Sequence, residues 1–179
     1  YEYDVLAPVE IRSIYANSKS PFSTTDITKQ EIVKKNLGQD IPYMLQHTPS
    51  VMISSDAGAG IGYSSINIRG TDAKRINFTI NGVPVNDGES QGTFFVNFPD
   101  LLSNASNIQI QRGVGTSTNG TGAFGASVNI TNLQTEKDAY LNYQVSAGSF
   151  NTLRNTLKLG TGKLNNGFRA ELRLSKINS

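Results

Sequence analysis

Ile76-Asn77-Phe78-Thr79-Ile80-Asn81-Gly82-Val83-Pro84-Val85 is the stretch that decides the reading of this chain. Apolar and polar residues alternate through Ile80, the period of a strand with one buried face. Asn81-Gly82 then supplies the pair that accepts positive φ at both central positions of a type I′ turn. Val83-Pro84-Val85 leads on into a loop over residues 86–93. Ile66-Asn67-Ile68-Arg69-Gly70 alternates in the same way upstream. Downstream, Ile108-Gln109-Ile110-Gln111-Arg112-Gly113 and Ser127-Val128-Asn129-Ile130 do so again.

Two helices precede these strands. Thr28-Lys29-Gln30-Glu31 fits a capping box, in which Glu31 reaches back to the donor of Thr28. Ile32, Val33 and Leu37 supply its apolar contacts, and Gly38 takes the left-handed stop. A second, short helix starts at Asp40 with Pro42 in its first turn, presents Ile41, Met44 and Leu45, and stops before Pro49. Residues 54–65 are rich in Gly and Ser and read as a loop. Residues 101–105 read as a short helix or turn. Residues 1–25, with Pro8 and Pro21, read as a flexible arm carrying one extended stretch. Two helices among several short strands predict a small mixed-sheet α+β domain.

From Ala139 the alternation becomes regular. Leu141, Tyr143, Val145 and Ala147 share one face against Asn142, Gln144 and Ser146. Leu153, Leu157 and Leu159 repeat the pattern against Arg154, Thr156 and Lys158. After a turn at residues 163–167, Phe168, Ala170, Leu172 and Leu174 oppose Arg169, Glu171 and Arg173. Strands of about ten residues, apolar on one face and polar on the other, suit a membrane barrel. An antiparallel sheet with one wet face has the same period. Closing a barrel takes about eight strands or more, so the remainder is expected beyond Ser179, and the chain reads as truncated there. The start, Tyr1-Glu2-Tyr3-Asp4, lacks the basic and apolar stretches of a signal peptide. It suits a mature exported protein or an internal fragment.

Composition narrows the chemistry. The 179 residues carry a formal net charge of +2, which gives no nucleic-acid footprint. Cysteine is absent, so disulfides, thiol catalysis and Cys-based zinc sites are all excluded. His47 is the only histidine, which weakens any His-metal or Ser/His proposal. No apolar run is long enough to cross a bilayer as a helix.

The ordered blocks at 66–70, 78–84, 108–113 and Gly122-Ala123-Phe124-Gly125-Ala126-Ser127-Val128-Asn129-Ile130 resemble the plug of TonB-dependent outer-membrane receptors, in the style of the Bacteroidetes members. The match covers roughly residues 20–132. Asn81 stands where the family often has Asp, and Val114 where Pro is common. The resemblance implies an arm at 1–19, a plug at 20–135 and the first strands of a 22-stranded barrel at 136–179. It implies residence in the outer membrane, among its lipids, with the plug lodged inside the chain's own C-terminal barrel. A scarce, bulky small-molecule nutrient such as an iron chelate, haem or cobalamin would bind on the outer side. TonB would grip the arm on the periplasmic side. Leu6, Ala7, Pro8, Val9, Glu10 and Ile11 resemble the TonB box, an extended segment suited to strand addition.

Within that resemblance, Arg69 and Arg112 are the expected plug–barrel lock, since a guanidinium pairs bidentately with carboxylates. The plain alternative is a pair of solvent-facing arginines. Asp87, Glu89, Ser90, Gln91, Phe94 and Phe95, with Tyr63, form the expected ligand-facing apex, aromatic and polar groups together suiting a bulky ligand. Phe94 and Phe95 fit a core equally well. No enzymatic activity, cofactor or metal is expected. Gly88-Glu89-Ser90-Gln91-Gly92 satisfies G-x-S-x-G, but no helix follows and His47 lies upstream. Gly120-Thr121-Gly122-Ala123-Phe124-Gly125 satisfies G-x-G-x-x-G, but leads into a strand rather than a helix. A β-rich surface interaction domain, such as an adhesin or glycan-binding module, is the rival reading, and a hydrolase built on Ser90 the third.

Overall fold

The computed structural model describes residues 16, 21, 23–114, 123–132 and 136–178. Strand β1 (Ser23–Thr28) runs straight into helix α1 (Lys29–Lys35). The junction is the predicted capping box: Thr28 N–H donates to Glu31 Oε2 at 2.9 Å, and Glu31 N–H donates to Thr28 Oγ1 at 3.5 Å. Of the apolar residues expected to anchor α1, only Ile32 is buried; Val33 and Leu37 face outward. The stop is made by Asn36 rather than Gly38. Its N–H closes on Ile32 O, and its Oδ1 takes the Gly38 N–H at 2.9 Å.

Helix α2 (Ile41–Leu45) buries Ile41, Met44 and Leu45, as its stripe predicts. Strands β2 (Val51–Ser55) and β3 (Ser64–Ile68) pair antiparallel. They absorb both ends of the expected Gly/Ser loop, which shrinks to residues 56–63. Ser54 and Ser65 hydroxyls meet across the pair at 2.6 Å. The strand expected through Gly70 stops at Ile68, because Arg69 and Gly70 both take positive φ, 51° and 77°.

Strand β4 (Ile76–Ile80) turns through Asn81 and Gly82, at φ 51° and 85°, into the short β5 (Val83–Pro84). The type I′ reading holds. Strands β6 (Asn107–Arg112) and β7 (Ala126–Thr131) complete a five-stranded sheet of order β1-β6-β7-β4-β5. Only β4 and β7 run parallel. Assigning residues 23–25 to a flexible arm is corrected: β1 is an edge strand of this sheet, held along its length by β6.

Register gives the sheet two different faces. Ile27, Ile108, Ile130 and Ile80 line up across the strands, followed by Ile110, Val128 and Phe78. With Ile32, Met44, Leu45, Ile66, Ile68 and Phe95 they form the core, apart from Ile80, which is only half-buried. The other face carries Gln109, Asn129 and Thr79 in one row and Gln111, Ser127 and Asn77 in the next, all of them buried. A buried polar face is stable only when its groups find partners; the Thr79 hydroxyl, for instance, donates to Asn129 Oδ1 at 2.8 Å.

Three further strands, β8 (Tyr140–Ala147), β9 (Leu153–Gly160) and β10 (Glu171–Asn178), form a separate antiparallel sheet in the order β10-β9-β8. Phe168 and Ala170, expected in the last strand, lie in the turn before it. Register places Leu141, Leu159 and Leu172 in one row and Tyr143, Leu157 and Leu174 in the next. Leu141 and Tyr143 are 73 % and 63 % exposed. The opposite face, Arg154, Thr156, Lys158, Arg173 and Ser175, turns toward the mixed sheet.

Candidate functional site

The seam between the two sheets centres on Asp100. Phe98-Pro99 leads into a 3-10 turn (Leu101–Asn104) whose preceding residue, Asp100, adopts φ 52°. Asp tolerates this left-handed conformation better than most residues because its short side chain bonds locally, and here Ser103 donates to both Asp100 Oδ1 and Asp100 O. The left-handed bend aims the carboxylate at the second sheet.

Four side chains of β9 and β10 converge on it. Arg154 Nη1 lies 3.3 Å from Oδ1, and Arg173 Nη1 lies 3.1 Å from Oδ2 and 2.8 Å from Asp100 O. Thr156 Oγ1 donates to Oδ2 at 3.4 Å, and the Ser175 hydroxyl donates to the same oxygen. Lys158 Nζ donates to Ser103 O and, at 3.4 Å, to Asn104 Oδ1. An ammonium on a terminal carbonyl also suits the negative end of a helical turn.

Arg154 is fully buried. Its Nη1 also donates to Asn36 Oδ1 at 3.1 Å, which ties the end of α1 into the cluster. Its Nε and Nη2 find no hydrogen-bond partner among the described residues. The shaft passes Gly38, at φ 89°, so closely that a Cβ there would lie 2.8 Å from Arg154 Cδ. Glycine is needed at 38 for both reasons. A cleft of about 410 Å³ opens beside the seam, lined by Lys29, Asn36, Asn142, Lys158 and Glu171 among others.

Arg69 and Arg112, expected as the lock, are brought together at the other end of the sheet. Arg69 Nη1 donates to Arg112 O at 3.2 Å, and Arg112 Nη1 to Pro49 O at 3.3 Å. Arg112 Nε is buried without a hydrogen-bond partner among the described residues. Among the described residues neither meets a carboxylate.

The expected apex divides. Asp87 Oδ2 accepts the N–H groups of Ser90 (2.7 Å) and Glu89 (3.2 Å). The Ser90 backbone bond leads in holding its carboxyl below the usual carboxylate range. Ser90 Oγ accepts Gly92 N–H, and Gln91 Nε2 donates to Gly88 O. Asp87, Ser90 and Gln91 thus close their own loop, while Glu89 and Phe94 face outward. Phe95 is 2 % exposed and meets Phe78 edge-on with ring centroids 5.0 Å apart, so it belongs to the core. Tyr63 is exposed on the separate 56–63 loop. The Leu6–Ile11 segment lies outside the described residues. His47 sits against Gln46, and among the described residues no α-helix follows Ser90, so the G-x-S-x-G match has no triad geometry. Among the described residues, no three His, Cys, Asp or Glu side chains gather as metal ligands.

Residues 16–127 match the family model of the TonB-dependent Receptor Plug Domain. The chain belongs to that family. Its location is accordingly the outer membrane. It is 27 % identical over 153 residues to the vitamin B12 transporter BtuB of Vibrio vulnificus (strain CMCP6), covering 82 % of this chain and 24 % of that protein. Among solved structures, P. aeruginosa FpvA bound to heterologous pyoverdines aligns with a TM-score of 0.69 at 18 % identity, over 89 % of this chain and 20 % of that one. The alcaligin outer-membrane receptor FauA from Bordetella pertussis gives 0.68 at 22 %, over 89 % and 27 %. Those likenesses establish the fold. The chain spans about a quarter of the length of the curated relative it matches. The mixed sheet is therefore the plug, and β8–β10 are strands whose polar face addresses it.

The Asp100 cluster went unseen in the sequence. Asp100 follows Pro99 and precedes Leu101-Leu102, which reads only as a turn. Its partners Arg154 and Arg173 stand 54 and 73 positions away, and alternation marked them only as the polar side of their strands.

Proposed function

We propose that this chain is the gate of a TonB-dependent transporter that takes up a scarce, bulky nutrient, an iron chelate, haem or a cobalamin. One observation carries the reading. The strands after the plug turn a charged face onto Asp100 and leave rows of Leu and Tyr on the opposite face. A wall with lipid outside and a stopper inside needs both properties at once. The named ligands of the relatives, vitamin B12 and pyoverdines, support the substrate class. Glu89, Phe94 and Tyr63, exposed and not tied into the loop's own side-chain hydrogen bonds, are the proposed ligand contacts. Asp87, Ser90 and Gln91 shape the loop that presents them.

TonB would pull on the arm, with Leu6 to Ile11 as its grip, and the energy would come from outside this chain. Arg69 and Arg112 would complete the lock by meeting wall carboxylates. The surface-domain reading loses its footing, because the Gly, Asn and Ser loops it relied on are largely the plug's own turns and strand ends. Deleting residues 1–14 from the full-length receptor tests the proposal. Energised uptake should be lost while ligand binding persists. Undiminished uptake would sink the placement of the grip.

A further inference from the structure

Ala16 is the point at which the described structure ties the N-terminal segment to the plug, and a side chain holds it. Ala16 N–H donates to Gln109 Oε1 at 2.8 Å, and Gln109 Nε2 donates to Ala16 O at 2.9 Å. The carboxamide thus imitates the two-bond exchange of an antiparallel bridge. Gln109 is 3 % exposed and Ala16 8 %. The second Nε2 hydrogen goes to Asp26 Oδ1 at 2.9 Å, and Oε1 also accepts from Gln111 Nε2 at 3.0 Å. Both donor hydrogens and both acceptor lone pairs of the amide are used.

Position along the chain gives this contact its meaning. Gln109 lies within β6, on the buried polar face of the sheet. Ala16 precedes Ser23, the first residue of β1, by seven positions (23 − 16). β1 is an edge strand whose ladder runs to β6, beginning with Ser23 opposite Arg112. Tension arriving from the N-terminus therefore meets the Gln109 carboxamide before it meets β1. Two hydrogen bonds yield more easily than the six-residue ladder behind them.

We propose that Gln109 is a positioning residue that clamps the N-terminal segment onto β6, so that a pull loads this clamp first and reaches β1 only after it opens. The inference rests on the reading of the chain as a gate pulled through its arm. The seven positions span at most about 25 Å when extended, which bounds the length released when the clamp opens. Weak tugs open the clamp and leave the sheet intact. A sustained pull then peels β1 from the end that pairs with Arg112.

The test is single-molecule pulling on the N-terminus of the full-length receptor, alongside amide exchange at Ala16. The wild type should show a first release of no more than about 25 Å before any strand separates. Gln109→Met should lose that event and raise Ala16 exchange by about 5- to 100-fold, with β1–β6 amides still protected. Gln109→Glu keeps the acceptor for Ala16 N–H but loses the donors to Ala16 O and Asp26 Oδ1; made together with Asp26→Asn, which removes the facing carboxylate, it should fall between. Asp26→Asn keeps its acceptor oxygen and should behave as wild type. An unchanged first event with unchanged Ala16 exchange in Gln109→Met would overturn the clamp. Should that variant melt the sheet, Gln109→Glu decides, and exchange equal to wild type refutes it. Neither measurement involves TonB or uptake. Failure here leaves the transport reading intact, and failure of the arm deletion leaves the clamp intact.

Discussion

Arg154 reaches Asp100 at 3.3 Å with both side chains out of solvent, 1 % and 2 % exposed, so the plug and the β8–β10 sheet share a buried ion pair. Its polarity is the reverse of the expected lock: here the plug supplies the carboxylate and the strand that follows it supplies the guanidinium. Burying the pair costs desolvation of both ions, and the pair persists because Arg173, Thr156, Ser175 and Ser103 also donate to Asp100.

Breaking one side of this pair should therefore be expensive. Asp100→Asn keeps a residue that accepts positive φ but removes the charge and turns one acceptor oxygen into a donor, leaving Arg154 buried without its counter-ion. The plug in the full-length receptor should lose about 3–5 kcal/mol, read from denaturant unfolding. Asp100→Asn combined with Arg154→Met should recover part of that loss, because the buried guanidinium goes with the carboxylate and only the partly exposed Arg173 is left without its anion. A double variant as damaged as the sum of the singles would contradict the coupling.

Gly38 supports the same cluster from below. Gly38→Ala puts a side chain at φ 89° and sets its Cβ 2.8 Å from Arg154 Cδ. Strain and collision act together, so the change should destabilise by more than the roughly 1 kcal/mol that an unstrained Gly→Ala substitution gains. Arg154→Met, whose shaft can yield, should soften the penalty. The check is the stability of Gly38→Ala measured in both backgrounds.

Much of the plug was legible because its signals are local. The Thr28–Glu31 capping box, the Asn81-Gly82 turn and the alternation around Ile108 and Leu141 each sit within a few residues of what they specify. The rest depended on distant pairing. β1 was hidden because Ser23-Thr24-Thr25-Asp26 offers no apolar alternation, and it is a strand only because β6 holds it. Phe94 and Phe95 read alike as neighbours, yet the 3-10 turn (Phe95–Asn97) buries the second and exposes the first. Asp100 and Gln109 act through partners that no short window contains.

Arg69 and Arg112 should matter most in the full-length receptor. Their guanidiniums share one end of the sheet, and the buried Arg112 Nε meets no acceptor among the described residues. Arg69→Ala with Arg112→Ala should make the plug easier to displace in the full-length receptor, by about 3–5 kcal/mol if a buried carboxylate pairs with them. Plug unfolding and uptake both unchanged would reduce the two to ordinary surface arginines.

Asp40 gives the plug a pH dependence of known sign. Its carboxylate accepts Gly62 N–H at 3.0 Å and the Ser64 hydroxyl, fastening the start of α2 to the 56–63 loop. Burial is the largest influence and pushes its pKa above the ordinary 3.8, against the opposing effect of those two bonds. Between the unfolded and folded values the native plug binds more protons than the unfolded chain, so stability falls as pH rises. The contribution is fully present below 3.8 and is lost as pH passes the folded value. Asp40→Asn keeps an acceptor oxygen but cannot titrate. The stability of wild type minus that of Asp40→Asn should therefore decline as pH climbs above 3.8 and level off once the folded carboxyl has ionised. Other carboxylates titrate equally in both proteins and cancel in the difference. A difference that rises with pH would mean that the two bonds outweigh burial, and that Asp40 is held as a stabilised anion.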